Sequence, residues 1–240
     1  MQDDLSAQLE RQKLEAMKEL AYGASHEINN PLANIAARAQ TLLRDEASPE
    51  RRRALEAIHQ QAMRAHEMIS DLMLFARPPK LMIESVDLCE VIRHVAAGLE
   101  EQCQRRNVRL TLHSPATPCV VQGDAQQLAV AITALIVNST EAIGNDGAIE
   151  IRLEAIDANG MAAIEVADTG PGISAEVRPH LFDPFYSGRE AGRGLGFGLS
   201  KCWRIVTDHG GTIVVDDSNS QGARITLRLP AQGPGCEQST

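Results

Sequence analysis

The apolar positions of this chain follow two rhythms. Up to about residue 76 they recur three and four residues apart: Leu14, Met17, Ala21, Ala24, Ile28, Ile35 and Leu42, then Leu55, Ile58, Ala62, Ala65, Ile69, Leu72 and Ala76. That spacing lines up one stripe of a helix, so each series predicts a helix packing lengthwise against another. Between them DEASPE (45–50) breaks the pattern, with Ser48 placed as a cap and Pro49 at the first helical position. RPPK (77–80) ends the second helix, because Pro78 and Pro79 cannot continue it. Two helices joined by a short turn make an antiparallel hairpin with much of its apolar surface still wet. A second copy would complete a four-helix bundle.

Beyond residue 84 the two rhythms mix. DLCEVIRHVAAGLEEQCQRR (87–106) predicts an amphipathic helix with Asp87 near its start, and NVRLTLH (107–113) alternates like a strand. A further helix is predicted from about Asp124 to Ile143, followed by strands in GAIEIRLEAI (147–156) and MAAIEVAD (161–168). The Gly- and aromatic-rich stretch 180–198 reads as a loop. A helix over 199–208 and the strands GTIVVDD and ARITLRL close the pattern. The expected organisation is a helical domain over 1–78, a linker over 79–84, a mixed α/β domain over 85–230 and a disordered tail over 231–240.

Composition narrows the function. The chain has 240 residues, 43% of them hydrophobic, which suffices for two real cores. A net charge of -9, with no cluster of Lys and Arg among aromatics, argues against nucleic acid as a partner. The N-terminus, MQDDLSAQLERQ, is not a signal peptide, and no run of about eighteen apolar residues could span a bilayer. The five cysteines form no CxxC pair and no metal-like spacing with histidine, so they read as reduced structural thiols in a cytoplasmic protein.

Four polar stretches interrupt these patterns. In ASHEINNPLANI (24–35), His, Glu, two Asn and Pro sit where a helix gains from almost any other residue. In NSTEAI (138–143), Asn138 follows the apolar run LAVAITALIV; its amide either satisfies nearby backbone or ligates Mg²⁺. DTGPGI (168–173) follows a strand directly and is either an ordinary turn or a carboxylate placed to accept from an exocyclic amine. GREAGRGLGFGLS (188–200) runs glycine-rich chain into a helix, either as a connector or as a cradle for phosphate. It lacks GxxxxGK[ST] and lies late in the chain, which sets aside the P-loop and Rossmann alternatives.

Together these stretches resemble the boxes of sensor histidine kinases: ASHEINNPL the H box, NSTEAI the N box, DTGPGI the G1 box, FDPFYSG the F box and GLGFGL the G2 box. All five stand in the family's order and span most of residues 10–230. The resemblance implies a dimeric four-helix phosphoacceptor domain followed by an ATP-binding α/β sandwich of the type shared with gyrase and Hsp90. It implies that His26 is the phosphorylated histidine, Asn138 the Mg²⁺-binding asparagine and Asp168 the reader of the adenine amine. Gly170 and Gly172 match the G1 glycines, Phe182 and Phe185 the F-box aromatics, and Gly194, Gly196 and Gly198 the G2 glycines. Arg189 lies near where many relatives carry a phosphate-contacting lysine. ATP and Mg²⁺ are thus the expected cofactors. A response-regulator receiver domain and a sensor outside this chain are the expected partners.

Counted as a heptad with Leu14, Ala21 and Ile28 at one core position, His26 falls on the outward side of its helix. A neutral imidazole there is a nucleophile for the γ-phosphorus, and Glu27 beside it is the candidate general base. Asn30, four residues on, shares its face and resembles the residue that orients a water for dephosphorylating a regulator. Pro31 predicts a kink just beyond the site. His59 and His66 read as polar residues on the bundle surface. One position departs from the family: Ala134 stands where a second asparagine is frequent, and where gyrase-like relatives carry a water-activating glutamate. That disfavours plain hydrolysis and leaves two rival readings, an ATP-binding scaffold without transfer and a protein acting mainly as a regulator phosphatase.

Overall fold

The structure, a computed structural model, describes residues 27–76, 78–183, 186, 196–216 and 222–234. It forms two compact units, Met1–Pro79 and Lys80–Thr240. No helix among the described residues is long and apolar enough to cross a membrane.

The first unit is a helical hairpin. Helix α1 occupies residues 27–44 and continues through Pro31, whose missing N–H leaves the Glu27 carbonyl without its helical donor. Helix α2 is Pro49–Ala76. Its start is capped as the sequence predicts: the Ser48 carbonyl accepts from the Arg52 N–H at 2.9 Å and its hydroxyl from the Arg51 N–H at 3.5 Å. The Glu46 carboxylate accepts from the Ser48 N–H at 2.8 Å and pairs with Arg51 at 3.3 Å, closing the turn.

Small side chains seal the two helices, with Ala36, Ala39 and Ala62 all buried. This close approach changes the part played by two histidines expected on the surface. His59 Nδ1 lies 3.2 Å from the Ala36 carbonyl, and His66 Nδ1 lies 3.1 Å from Asn29 Oδ1. Both rings are half-buried across the hairpin, because helices spaced by alanine stand within reach of an imidazole. The larger residues of the predicted seams point away from this contact: Ile28, Ile35, Leu42 and Ile58 are 40%, 45%, 61% and 48% exposed.

The second unit is an α/β sandwich. Strands β1 (Glu84–Asp87) and β3 (Val120–Gly123) form an antiparallel ribbon. The main sheet has the order β2-β4-β5-β7-β6, built from Val108–His113, Gly147–Glu154, Met161–Asp168, Arg224–Pro230 and Thr212–Val215. Among the described strands only the β2–β4 pair is parallel. Inward residues alternate with outward ones as a pleat requires: Ile149 and Ile151, Ile164 and Val166, and Ile225 and Leu227 are buried. Glu150, Arg152 and Glu165 take the other face, where Glu150 pairs with Arg152 and Glu165 with Arg224.

Helices α3 (Leu88–Arg105), α4 (Ala125–Ile143) and α5 (Gly198–Asp208) complete the sandwich. The apolar run expected for a core helix holds: α4 buries Leu128, Ala131, Ile132, Leu135 and Ile136 between its neighbours. The β1–β3 ribbon was absent from the sequence reading. Its strands have four residues each and little alternation, so pairing across the chain defines them.

Asp124 fixes the start of α4. Its Oδ1 accepts from the Gln126 and Gln127 N–H groups at 3.1 and 3.0 Å, and its Oδ2 from the Met82 N–H at 3.0 Å. Its own N–H donates to Nε2 of buried His209 at 3.0 Å, while His209 Nδ1 donates to the Ile205 carbonyl at 2.8 Å. One buried imidazole thereby joins the start of α4 to the end of α5. Burial of Asp124 pushes its pKa up, but the amides of Met82, Gln127 and Gln126 outweigh this and hold it below the ordinary 3.8. A depressed carboxyl stabilises the fold above its unfolded value and loses that contribution as pH falls through the folded one. Asp124→Ala should therefore cost about 1–2 kcal/mol at neutral pH. In urea unfolding followed across pH, its gap to wild type should narrow below pH 3.8.

Candidate functional site: a buried carboxylate at the end of β5

Strand parity places the central residue. Ala162, Ile164 and Val166 point inward along β5, and Asp168, two residues further, continues that row as a carboxylate. It is buried, and three donors meet it: Ser139 Oγ donates to Oδ2 at 2.8 Å, while the Gly170 and Ala223 N–H groups donate to Oδ1 at 2.9 and 3.1 Å. These come from α4, from the loop after β5 and from the entry to β7. A buried charge without such partners would be very costly.

Two glycines make the approach possible. At Gly222, with φ of 84°, a Cβ would overlap the Asp168 carbonyl oxygen. At Gly170 a Cβ would stand 2.9 Å from Asp168 Oδ1 and 3.4 Å from the α4 backbone at Ala142. Next to Ser139, Asn138 is half-buried on α4, and Ala134 one turn earlier is buried. Gly196 has φ of 72°, and α5 begins at Gly198 with no side-chain cap, so chain rich in glycine leads into a helix start lacking a side-chain acceptor.

Two family profiles match this chain. That of the His Kinase A (phospho-acceptor) domain covers residues 16–80, and that of the histidine kinase-, DNA gyrase B-, and HSP90-like ATPase covers 123–233. The sensor histidine kinase ZraS of Klebsiella oxytoca is 34% identical over 93% of the chain and 48% of its own length. The chain belongs to the two-component sensor histidine kinases. It spans about half the length of the ZraS relatives it matches. Among solved histidine kinases, full-length ShkA in complex with AMPPNP superposes with a TM-score of 0.78 at 23% identity, over 90% of this chain and 46% of that one. ThkA in complex with the response regulator TrrA superposes at 0.66 with 24% identity, over 92% and 64%. Both likenesses bear on the fold, a helical region followed by the α/β ATPase sandwich.

Within this kinase architecture the candidate residues fall into three groups. Asn138, Asp168, Gly170 and Gly172 cluster around the end of α4 and the end of β5. Glu27 and Asn30 are exposed on α1. Phe182 is half-buried after a short 3₁₀ turn at Arg178–His180, near a His180–Asp183 contact of 2.7 Å. His26, Phe185, Arg189 and Gly194 lie outside the described residues.

Sequence reasoning missed Ser139, Gly222 and Ala223. Ser139 stood in a quoted motif beside Asn138, yet nothing local says that its hydroxyl turns to a strand 29 residues away. The four described cysteines are buried free thiols: burial pushes Cys202 up to about 12, and chiefly burial raises Cys89 and Cys119.

The donor set fits Mg²⁺ of a particular kind. Among the described residues no group of three or more His, Cys, Asp or Glu could hold a resident metal. A single asparagine oxygen suits an ion that arrives with phosphates and keeps several waters. The packing around Asp168 leads to a direct expectation. Gly222→Ala should destabilise the unit by on the order of 1–3 kcal/mol or more and weaken ATP binding, checked by urea unfolding and calorimetric titration.

Proposed function

We propose that this chain is a histidine kinase core that transfers the γ-phosphoryl group of ATP to His26 and then passes it to an aspartate of a response regulator. The observation that carries the reading is the buried Asp168 carboxylate, fastened to α4 beside Asn138, in a chain whose phosphoacceptor domain precedes it. Asp168 accepts a hydrogen bond from the adenine amine, and Gly170 and Gly172 let backbone approach the base. The described G2 glycines, Gly196 and Gly198, bring backbone donors to the phosphates at the start of α5. Asn138 would hold Mg²⁺, whose charge screens the phosphates and lowers the barrier to transfer when bound.

On the helical unit His26 supplies the nucleophile. Glu27, exposed beside it in sequence, accepts the proton of the second ring nitrogen, which raises the basicity of the attacking one. Asn30, exposed on α1, orients the water that dephosphorylates the regulator. The exposed Ile28, Ile35, Leu42 and Ile58 are the face on which a second copy completes a four-helix bundle. ThkA, solved with its regulator, supports a receiver domain as partner. Phosphoryl transfer from ATP suits a cytoplasmic setting.

One observation favours a second reading. Buried Ala134 brings no oxygen to the turn before Asn138, as a scaffold that binds ATP without transfer would show. Kinetics of the purified chain with labelled ATP and a phosphorylated receiver domain separate the possibilities. Glu27→Ala should slow autophosphorylation by on the order of 10²-fold. Asn30→Ala should slow dephosphorylation of the receiver more than autophosphorylation. ATP binding with no label in any variant would favour the scaffold.

A further inference from the structure

Two hydroxyls sit side by side on α4 and do different things. Thr140 Oγ1 donates its proton to the Ile136 carbonyl of its own helix at 2.8 Å, with Cys103 Sγ of α3 3.7 Å away. Ser139 Oγ, equally buried, leaves its helix and donates to Asp168 Oδ2 at 2.8 Å. A hydroxyl has one proton, so Ser139 has none left for a ligand and offers only lone pairs.

The other carboxylate oxygen is already taken. Asp168 Oδ1 accepts from the Gly170 and Ala223 N–H groups, so the acceptor capacity that remains for an outside group is on Oδ2 and on Ser139 Oγ. At this spot the two side chains together present lone pairs and no donor. An incoming amine satisfies that surface. An incoming carbonyl sets lone pairs against lone pairs, which a buried site penalises far more than water does.

We propose that Ser139 is a positioning and specificity residue for the nucleotide base. By committing its proton to Asp168 it aims Oδ2 and keeps the site acceptor-only, so the site selects 6-aminopurine over 6-oxopurine nucleotides. The inference rests on Asp168 as the residue that reads the base. With alanine at 139, a water takes the place of the hydroxyl. Water turns either a lone pair or a proton toward a ligand, so a 6-oxo group becomes tolerable.

The test compares ATP with inosine triphosphate, its 6-oxo counterpart, by calorimetric titration of the full chain with Mg²⁺, alongside thermal unfolding of each variant. Wild type should prefer ATP. Ser139→Ala, still folding cooperatively though with a lower unfolding midpoint, should shrink the ATP-to-inosine preference about tenfold, and Ser139→Thr, which keeps the hydroxyl, should restore part of it. An unchanged preference in Ser139→Ala, or equal weakening of both nucleotides, marks a merely structural hydroxyl and overturns the proposal. Asp168→Asn reports on the premise separately: a preference shifted toward the 6-oxo nucleotide supports it. Wild-type affinity and preference in that variant would show that the base is read elsewhere.

Discussion

A carboxylate withdrawn from water must be met by donors, and the ATP-binding unit is arranged around meeting one. Asp168 closes the inward row of β5, and its three hydrogen bonds gather α4, the loop after β5 and the entry to β7 at one point. The glycines around it follow from that demand. Gly222 and Gly170 are places where any side chain would displace the carboxylate or the backbone it needs. The motif is therefore a packing solution first, and what it leaves over is acceptor capacity on Oδ2.

Helix α4 carries the consequence along the unit. Its apolar sides are buried against α3, α5 and the sheet, so the helix is held in position and in rotation. Its start is tied through Asp124 to the Met82 amide and through His209 to the end of α5. Its last turns carry half-buried Asn138 and, beside it, Ser139, which turns to Asp168. A helix so fixed delivers two polar groups at a defined spacing, which is what catalysis by alignment requires.

Much of this was legible in sequence where the signal is local. The Ser48–Pro49 start, the RPPK stop, the helix starts near Asp87 and Asp124 and the alternating strands each rest on the preferences of a few adjacent residues. The ordered motifs pointed to the candidate site for the same reason. Relations set by distant chain were not legible. The β1–β3 ribbon exists only as a pair, His59 and His66 reach across the hairpin because alanines let the helices close, and Ser139 matters because a strand ends opposite it. In each case the residue type is ordinary, and only tertiary placement gives it a task.

The account stands or falls on chemistry at His26. The purified chain and a His26→Ala variant should be incubated with γ-labelled ATP and Mg²⁺, and the labelled protein then treated with acid and with base. The account predicts label in wild type alone, lost in acid and kept in base, as a phosphoramidate requires. Label that persists in His26→Ala, or that survives acid, would contradict it.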